Sequence, residues 1–269
     1  MDCTTDRQAG SRAGLDACTS APSAWQCQEE RNLPRATTMA ADGRPYHVCF
    51  ALAWRAFRLP ELRAAAEAAG VQLRIDEDEE ARFEARDDSW LLPVRLAGDD
   101  SSHAAAQRLG ARTVLAKSLV DVWASGSTWE ELAASLQGYD QAAAAPYLAP
   151  GTTFCVRITT VGHKLSEAEK RAYIEKLGPL LPWKGKVRLK QPEHAFALLI
   201  DSAPPPPGAG GADGGDSGAP PSSRRYYFGR VVCEGQRELV GKYDLKRRNY
   251  IGTTSLDAEL ALLMADLAH

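Results

Sequence analysis

The chain has 269 residues, 44% of them hydrophobic and 25% charged, with a formal net charge of −3; this is the make-up of a water-soluble protein long enough for two domains, each with its own core. No apolar run approaches the roughly 18 residues of a membrane span. The 6 cysteines and 5 histidines include no C-x-x-C pair and no paired metal-ligand spacing, which argues against a zinc site or a disulfide framework and predicts free thiols in a reducing, cytoplasmic setting.

Residues 1–44 are rich in Ala, Ser, Thr and Arg, lack apolar periodicity and read as a disordered tail. An organelle transit peptide is the alternative. Asp2, Asp6, Asp16, Glu29 and Glu30 argue against it, since such peptides are acid-poor, and Met39 is a second candidate start. Tyr46 to Phe57 is a strand-like run. Pro60 then opens a helix at its first position, where no amide donor is lost; the helix covers Glu61 to Ala69 and closes on Gly70. Val71 to Ile75 reads as a second strand, Asp76 to Asp88 as a solvated acidic loop, and Trp90 to Leu96 as a third strand. Ser101 or Ser102 caps a short helix ending at Gly110, and Thr113 to Trp123 is a fourth strand. Thr128 with Glu131 makes a capping box for a helix that ends before Gly138. The order β-α-β-β-α-β-α over residues 45–150 fits a ferredoxin-like α+β unit serving as a scaffold.

Pro146, Pro150 and Gly151 mark a boundary, and residues 151–232 form the second predicted domain. Thr153 to Thr160 is a strand, and Ser166 with Glu169 caps a helix ending at Gly178-Pro179. Next comes Lys184-Gly185-Lys186-Val187-Arg188-Leu189-Lys190. In an extended strand this period puts four cations on one face and Val187 and Leu189 on the other. Four stacked like charges repel unless an anion screens them, so phosphate binding is the functional reading; an edge strand guarded by lysines is the alternative. Ala195 to Ile200 is a strand, and Ser202 to Ser223, built only of Ser, Ala, Pro, Gly and Asp, reads as a disordered insertion. Its Gly208, Gly210 and Gly211 do not complete a dinucleotide fingerprint. Tyr226 to Val232 returns to the same sheet.

Charge is distributed unevenly. Residues 41–150 carry 11 Lys and Arg against 17 Asp and Glu, residues 151–200 carry 9 against 4, and residues 224–248 carry 8 against 3. A chain acidic in front and basic behind points to a polyanionic partner, two solvated surfaces of unequal charge being the alternative. Residues 233–269 form a linker that holds Lys246, Arg247 and Arg248, followed by a helix with leucines at 256, 260, 263 and 267 on one stripe. Thr254 and Asp257 suit a capping-box start for it.

The segment from Phe228 to Leu260, with GQRELV, KYDLK and YIG followed by Thr254-Ser255 and Asp257, resembles the tRNA guanine-10 N2-methyltransferases of the THUMP-methyltransferase group. A looser likeness to the end of an RNA-binding THUMP domain runs from Val187 and Leu189 through Pro192 and Glu193 to Phe196. The resemblance implies an RNA-binding half joined to the first helix of a Rossmann-like catalytic half. It implies tRNA contacts from Lys184, Lys186, Arg188, Lys190, Arg230, Lys246, Arg247 and Arg248. It implies, too, that Thr253, Thr254, Ser255 and Asp257 match the rim of an S-adenosylmethionine pocket. The donor loop and the Asp/Asn-Pro-Pro-aromatic loop of that family have no counterpart here, so the expectation is a tRNA-binding part without catalysis of its own and without bound donor. A stand-alone RNA-binding protein is the alternative. A small zinc-binding activator subunit is implied as a partner of the full enzyme. The terminal leucine stripe is expected to lack a partner within the chain.

Overall fold

The computed structural model describes residues 43–98, 103–161, 163–202, 224–247 and 249–268. The tail through residue 42, the Ser101 and Ser102 caps, Arg248 and the insertion from 203 to 223 lie outside the described residues.

Strands β1 (Arg44–Phe50), β2 (Gln72–Arg74), β3 (Leu91–Ala97), β4 (Ala116–Gly126), β5 (Thr153–Val161), β6 (Lys186–Val187), β7 (His194–Ser202) and β8 (Arg224–Glu234) make one sheet in the order β2-β3-β1-β4-β8-β7-β5-β6. The pairing is antiparallel from β2 through β7, and β5 runs parallel to both β7 and β6. The helices are α1 (Arg58–Ala68), α2 (Glu77–Ala85), α3 (Ala104–Gly110), α4 (Trp129–Gln137), α5 (Gln141–Leu148), α6 (Glu167–Leu177), α7 (Glu238–Lys242) and α8 (Ala258–Leu267).

Alternation along each strand divides the apolar residues between two faces. On one face, Tyr46, Val48, Phe50, Leu92, Val94 and Leu96 pack with Leu62 and Leu109 of α1 and α3. Further along that face, Phe196, Leu198, Ile200 and Phe228 pack with Leu132, Leu148 and Leu177 of α4, α5 and α6. On the other face Cys49, Trp90 and Val120 meet Ala197 and Leu199. Trp90, just ahead of β3, and Asp201 of β7 are separated by β1, β4 and β8, about 19 Å in a flat sheet, yet their side chains are 3.2 Å apart, so the sheet is curved with this face inside. Irregular pairing of β4 with β8 at Leu119/Val120 and at Val122/Ala124 supplies the bend. Gly229 lies at this bend, where any Cβ would run into the Asp121 carbonyl.

Local chemistry explains where the expected elements move. β1 stops at Phe50, because Ala51 donates to the Leu115 carbonyl and the chain then turns through Trp54 in the left-handed region (φ 48°). α1 starts at Arg58, which leaves Pro60 inside the first turn, where amides lack helical partners anyway. The acidic segment after Asp76 is helix α2 rather than a loop. The Asp76 carboxylate accepts from the Asp78 and Glu79 amides, and the acids that follow sit at the positive helix end. Arg63 and Arg82 offset two of those charges by pairing with Glu80 and Glu79, and Phe83 is buried beneath. α3 begins after His103 in the left-handed region (φ 56°), with no side-chain cap. The Thr128 hydroxyl caps α4, but the Glu131 carboxylate turns to the Ser127 amide and hydroxyl. The capping box at Ser166 and Glu169 forms as expected.

Candidate nucleic-acid interface

The basic run is an edge of the sheet whose regular part is shorter than its alternation suggests. Only Lys186–Val187 is strand, and Val187 and Leu189 are 70% and 79% exposed, so neither faces a core. The backbone is nevertheless fixed: Lys184, Lys186 and Arg188 donate to the carbonyls of Leu148 (3.1 Å), Thr152 (2.9 Å) and Phe154 (2.8 Å). Trp183 stacks on Phe154 at 4.7 Å. Gly185 lets the edge approach, since a Cβ there would stand 2.8 Å from the Thr152 carbonyl oxygen. Gln191 turns the chain at φ 48°, and the Glu193 amide donates to Thr153 Oγ1 at 3.1 Å. Lys184, Lys186, Arg188 and Lys190 all reach solvent, and among the described residues none is ion-paired.

Lys246 and Arg247 stand on a short 3-10 turn after α7. Asp244 accepts from the Lys246 amide (3.0 Å), and Arg247 donates to the Gly241 carbonyl (3.2 Å). Both side chains are exposed. β6 pairs with the start of β5, which is in register with the start of β7; Ala195 of β7 pairs with Val231, close to where β8 ends. The β6 edge therefore lies at the end of the sheet where β8 finishes and the segment leading to Lys246 and Arg247 begins. Arg230 is not with them. It is 9% exposed, with its guanidinium 4.0 Å above the Tyr147 ring, and it helps burial hold the His194 imidazole below its ordinary pKa. Arg230 is a packing residue behind the edge.

Of the four residues matched to a donor rim, Ser255 and Asp257 bond locally and Thr253 and Thr254 face solvent. Asp257, rather than Thr254, caps α8, and its carboxylate accepts from the Glu259 and Leu260 amides at 2.9 and 3.2 Å. Ser255 Oγ donates to the Gly252 carbonyl at 3.0 Å, and Thr253 and Thr254 are exposed. One leucine of the stripe, Leu263, also finds a partner. Leu263 and Ala258 are 1% and 3% exposed, Leu263 joins the core that includes Leu59 and Leu62 of α1, and Arg237 ties α8 down through Glu259 at 2.9 Å.

Sequence reading misses the buried polar groups between the elements. Tyr46 Oη bonds His103 Nδ1 at 2.8 Å, while Asp121 accepts from Arg44 and from Trp123 Nε1, each at 3.2 Å. Glu61, wholly buried on α1, accepts from the amides of Val114 and Leu115. No spacing rule links residues 77 or 53 positions apart. Among the described residues no group of His, Cys, Asp and Glu is placed to hold a metal ion, and no helix is long and apolar enough to cross a membrane.

Residues 44–237 match the family model described as the Tmrp11 THUMP N-terminal domain. Similar curated proteins include the tRNA (guanine(10)-N(2))-methyltransferase TRMT11 of Rattus norvegicus, 34% identical over 212 residues, which are 79% of this chain and 41% of the relative. The protein of that name from Dictyostelium discoideum is 26% identical over 224 residues, 82% of this chain and 44% of the relative. The chain thus spans less than half the length of these relatives. Among solved structures, PH1313 of Pyrococcus horikoshii aligns over 71% of this chain and 55% of its own at TM-score 0.38 and 14% identity. TrmN of Thermus thermophilus aligns over 71% and 46% at TM-score 0.37 and 16% identity. With its family model covering the sheet from β1 to the end of β8, the chain belongs to the Tmrp11 THUMP N-terminal domain family.

Proposed function

We propose that this chain is a tRNA-docking module, the substrate-binding part of a tRNA (guanine(10)-N2)-methyltransferase. The observation that carries this reading is the β6 edge, where four exposed cations, without ion-pair partners among the described residues, sit on backbone pinned to the end of α5 and the start of β5. A phosphate backbone is attracted to such an array without any sequence being read. The relatives, named for tRNA methyl transfer, supply the class of RNA. Lys246 and Arg247 extend the contact, with Arg248 next to them in the sequence. The order β2-β3-β1-β4, antiparallel throughout, supports reading the N-terminal half as a ferredoxin-like scaffold, and residues 151–232 as the THUMP-like half.

Methyl transfer belongs, in this reading, to the longer enzyme. S-adenosylmethionine supplies the methyl group there, and a zinc-binding activator subunit is the expected partner of that enzyme rather than of this module. Lysine footprinting tests the docking surface. Saturating tRNA is expected to shield Lys184, Lys186 and Lys190 from an amine-reactive reagent while leaving Lys170 on α6, paired with Glu167, labelled as before. Full labelling of the three β6-edge lysines in the complex would overturn the assignment.

A further inference from the structure

A second site lies on the inner face of the bent sheet, away from the β6 edge. The α2–β3 segment crosses the ends of β7 and β8 there, and a cleft of about 330 Å³ opens between them. Arg86 closes its base by holding the Asp201 carboxylate through two bonds of 2.8 and 3.2 Å, and Trp90 Nε1 donates to Asp201 at 3.2 Å. These groups satisfy one another and leave the indole as an apolar floor. One wall is aromatic: the Tyr227 ring packs against His47 with centroids 4.8 Å apart. Arg225 is exposed, hydrogen-bonds the Tyr227 side chain and has no carboxylate partner among the described residues, whereas Arg82 is paired with Glu79.

We propose that this cleft binds a single nucleotide, its base against Tyr227 and its phosphate on Arg225. The volume is near the lower bound of ligand sites, about 300–1,000 Å³, which admits one nucleotide and excludes a helical stem. Aromatic stacking accepts any base, and one guanidinium whose charge no carboxylate offsets among the described residues matches one phosphate. The nucleotide is either free or one residue of an RNA chain; the recognition chemistry is the same.

Equilibrium dialysis of the full chain against AMP and against adenosine tests this. Saturable AMP binding is expected, with adenosine weaker. Tyr227→Ala should weaken AMP about five-fold or more, while Tyr227→Phe keeps the ring and most of the affinity. Arg225→Gln should bring AMP down to the affinity of adenosine; because Arg225 is exposed, this variant keeps the test valid even if Tyr227→Ala unfolds. Displacement of AMP by tRNA would assign the nucleotide to an RNA chain, and its retention to a free nucleotide. Absence of saturable AMP binding up to millimolar concentration, or AMP affinity unchanged in both Tyr227→Ala and Arg225→Gln, would overturn the proposal. The site does not depend on the β6 edge. A variant with Lys184, Lys186, Arg188 and Lys190 replaced by Ala should bind AMP as the parent does, whatever its affinity for tRNA.

Discussion

Glu61 shows how one buried carboxyl ties together segments far apart in the sequence. It stands on α1, takes the amides that lead into β4, and lies near Asp266 of α8 and Arg237 ahead of α7. Burial, outweighing the two amide bonds, raises its pKa from 4.5 to about 7. The unfolded chain loses this proton near pH 4.5, whereas the folded protein keeps it to about pH 7. The associated stability is therefore complete below pH 4.5 and is lost as pH rises to about 7. Its size is at most about 3 kcal/mol, at 1.36 kcal/mol per unit. Urea titrations should accordingly give a lower midpoint at pH 8 than at pH 5, and Glu61→Gln should remove that difference. Glu61→Ala leaves two buried amides unpaired and should cost about 2–4 kcal/mol at either pH. A parent whose midpoint is the same at both values would refute the assignment. None of this is legible in the sequence, where Glu61 is an ordinary first-turn acid and Val114 and Leu115 are ordinary strand residues.

Among the elements, the ones with local chemistry are the ones the sequence displays. Ser166 and Glu169 mark the start of α6, and Gly70 (φ 62°) ends α1 as expected. The acidic helix α2 is hidden because like charges in series resemble a solvated loop, and its compensation by Arg63 comes from another helix. The β6 run reads as a longer strand than it is, because alternation says nothing about whether a neighbour exists to bury Val187 and Leu189. α8 is the reverse case: its stripe is legible, but its docking on α1 is not. Leu263→Ala should destabilise the protein by about 2–4 kcal/mol, whereas Leu256→Ala, at a residue 42% exposed, should change stability by no more than about 0.5 kcal/mol. Hydrogen exchange should find the α8 amides protected to the same degree at every protein concentration. Protection that grows with concentration would mean that a second copy, rather than α1, covers the stripe.

At the scale of the molecule, the two domains suggested by Pro146 to Gly151 share a sheet. β4 and β8 pair from Ser118 to Gly126 across the proposed boundary, and the inner face draws residues from both halves. We therefore predict one cooperative unfolding transition, with tryptophan fluorescence and far-UV circular dichroism coincident; two separated transitions would restore independent domains. That pairing joins strands about a hundred residues apart and has no periodic signature, which is why composition, charge and the basic run are legible while the seam and the inner cleft are not. The central claim is that the β6 edge binds RNA through phosphate contacts, and salt dependence measures that number most directly. Each contact contributes about 0.7–0.9 to the slope of log affinity against log salt. Replacing Lys184, Lys186, Arg188 and Lys190 by Ala should weaken tRNA binding and flatten the slope by up to about 3. Unchanged affinity and slope in that variant would contradict the account, leaving the β6 cations only to guard an exposed sheet edge.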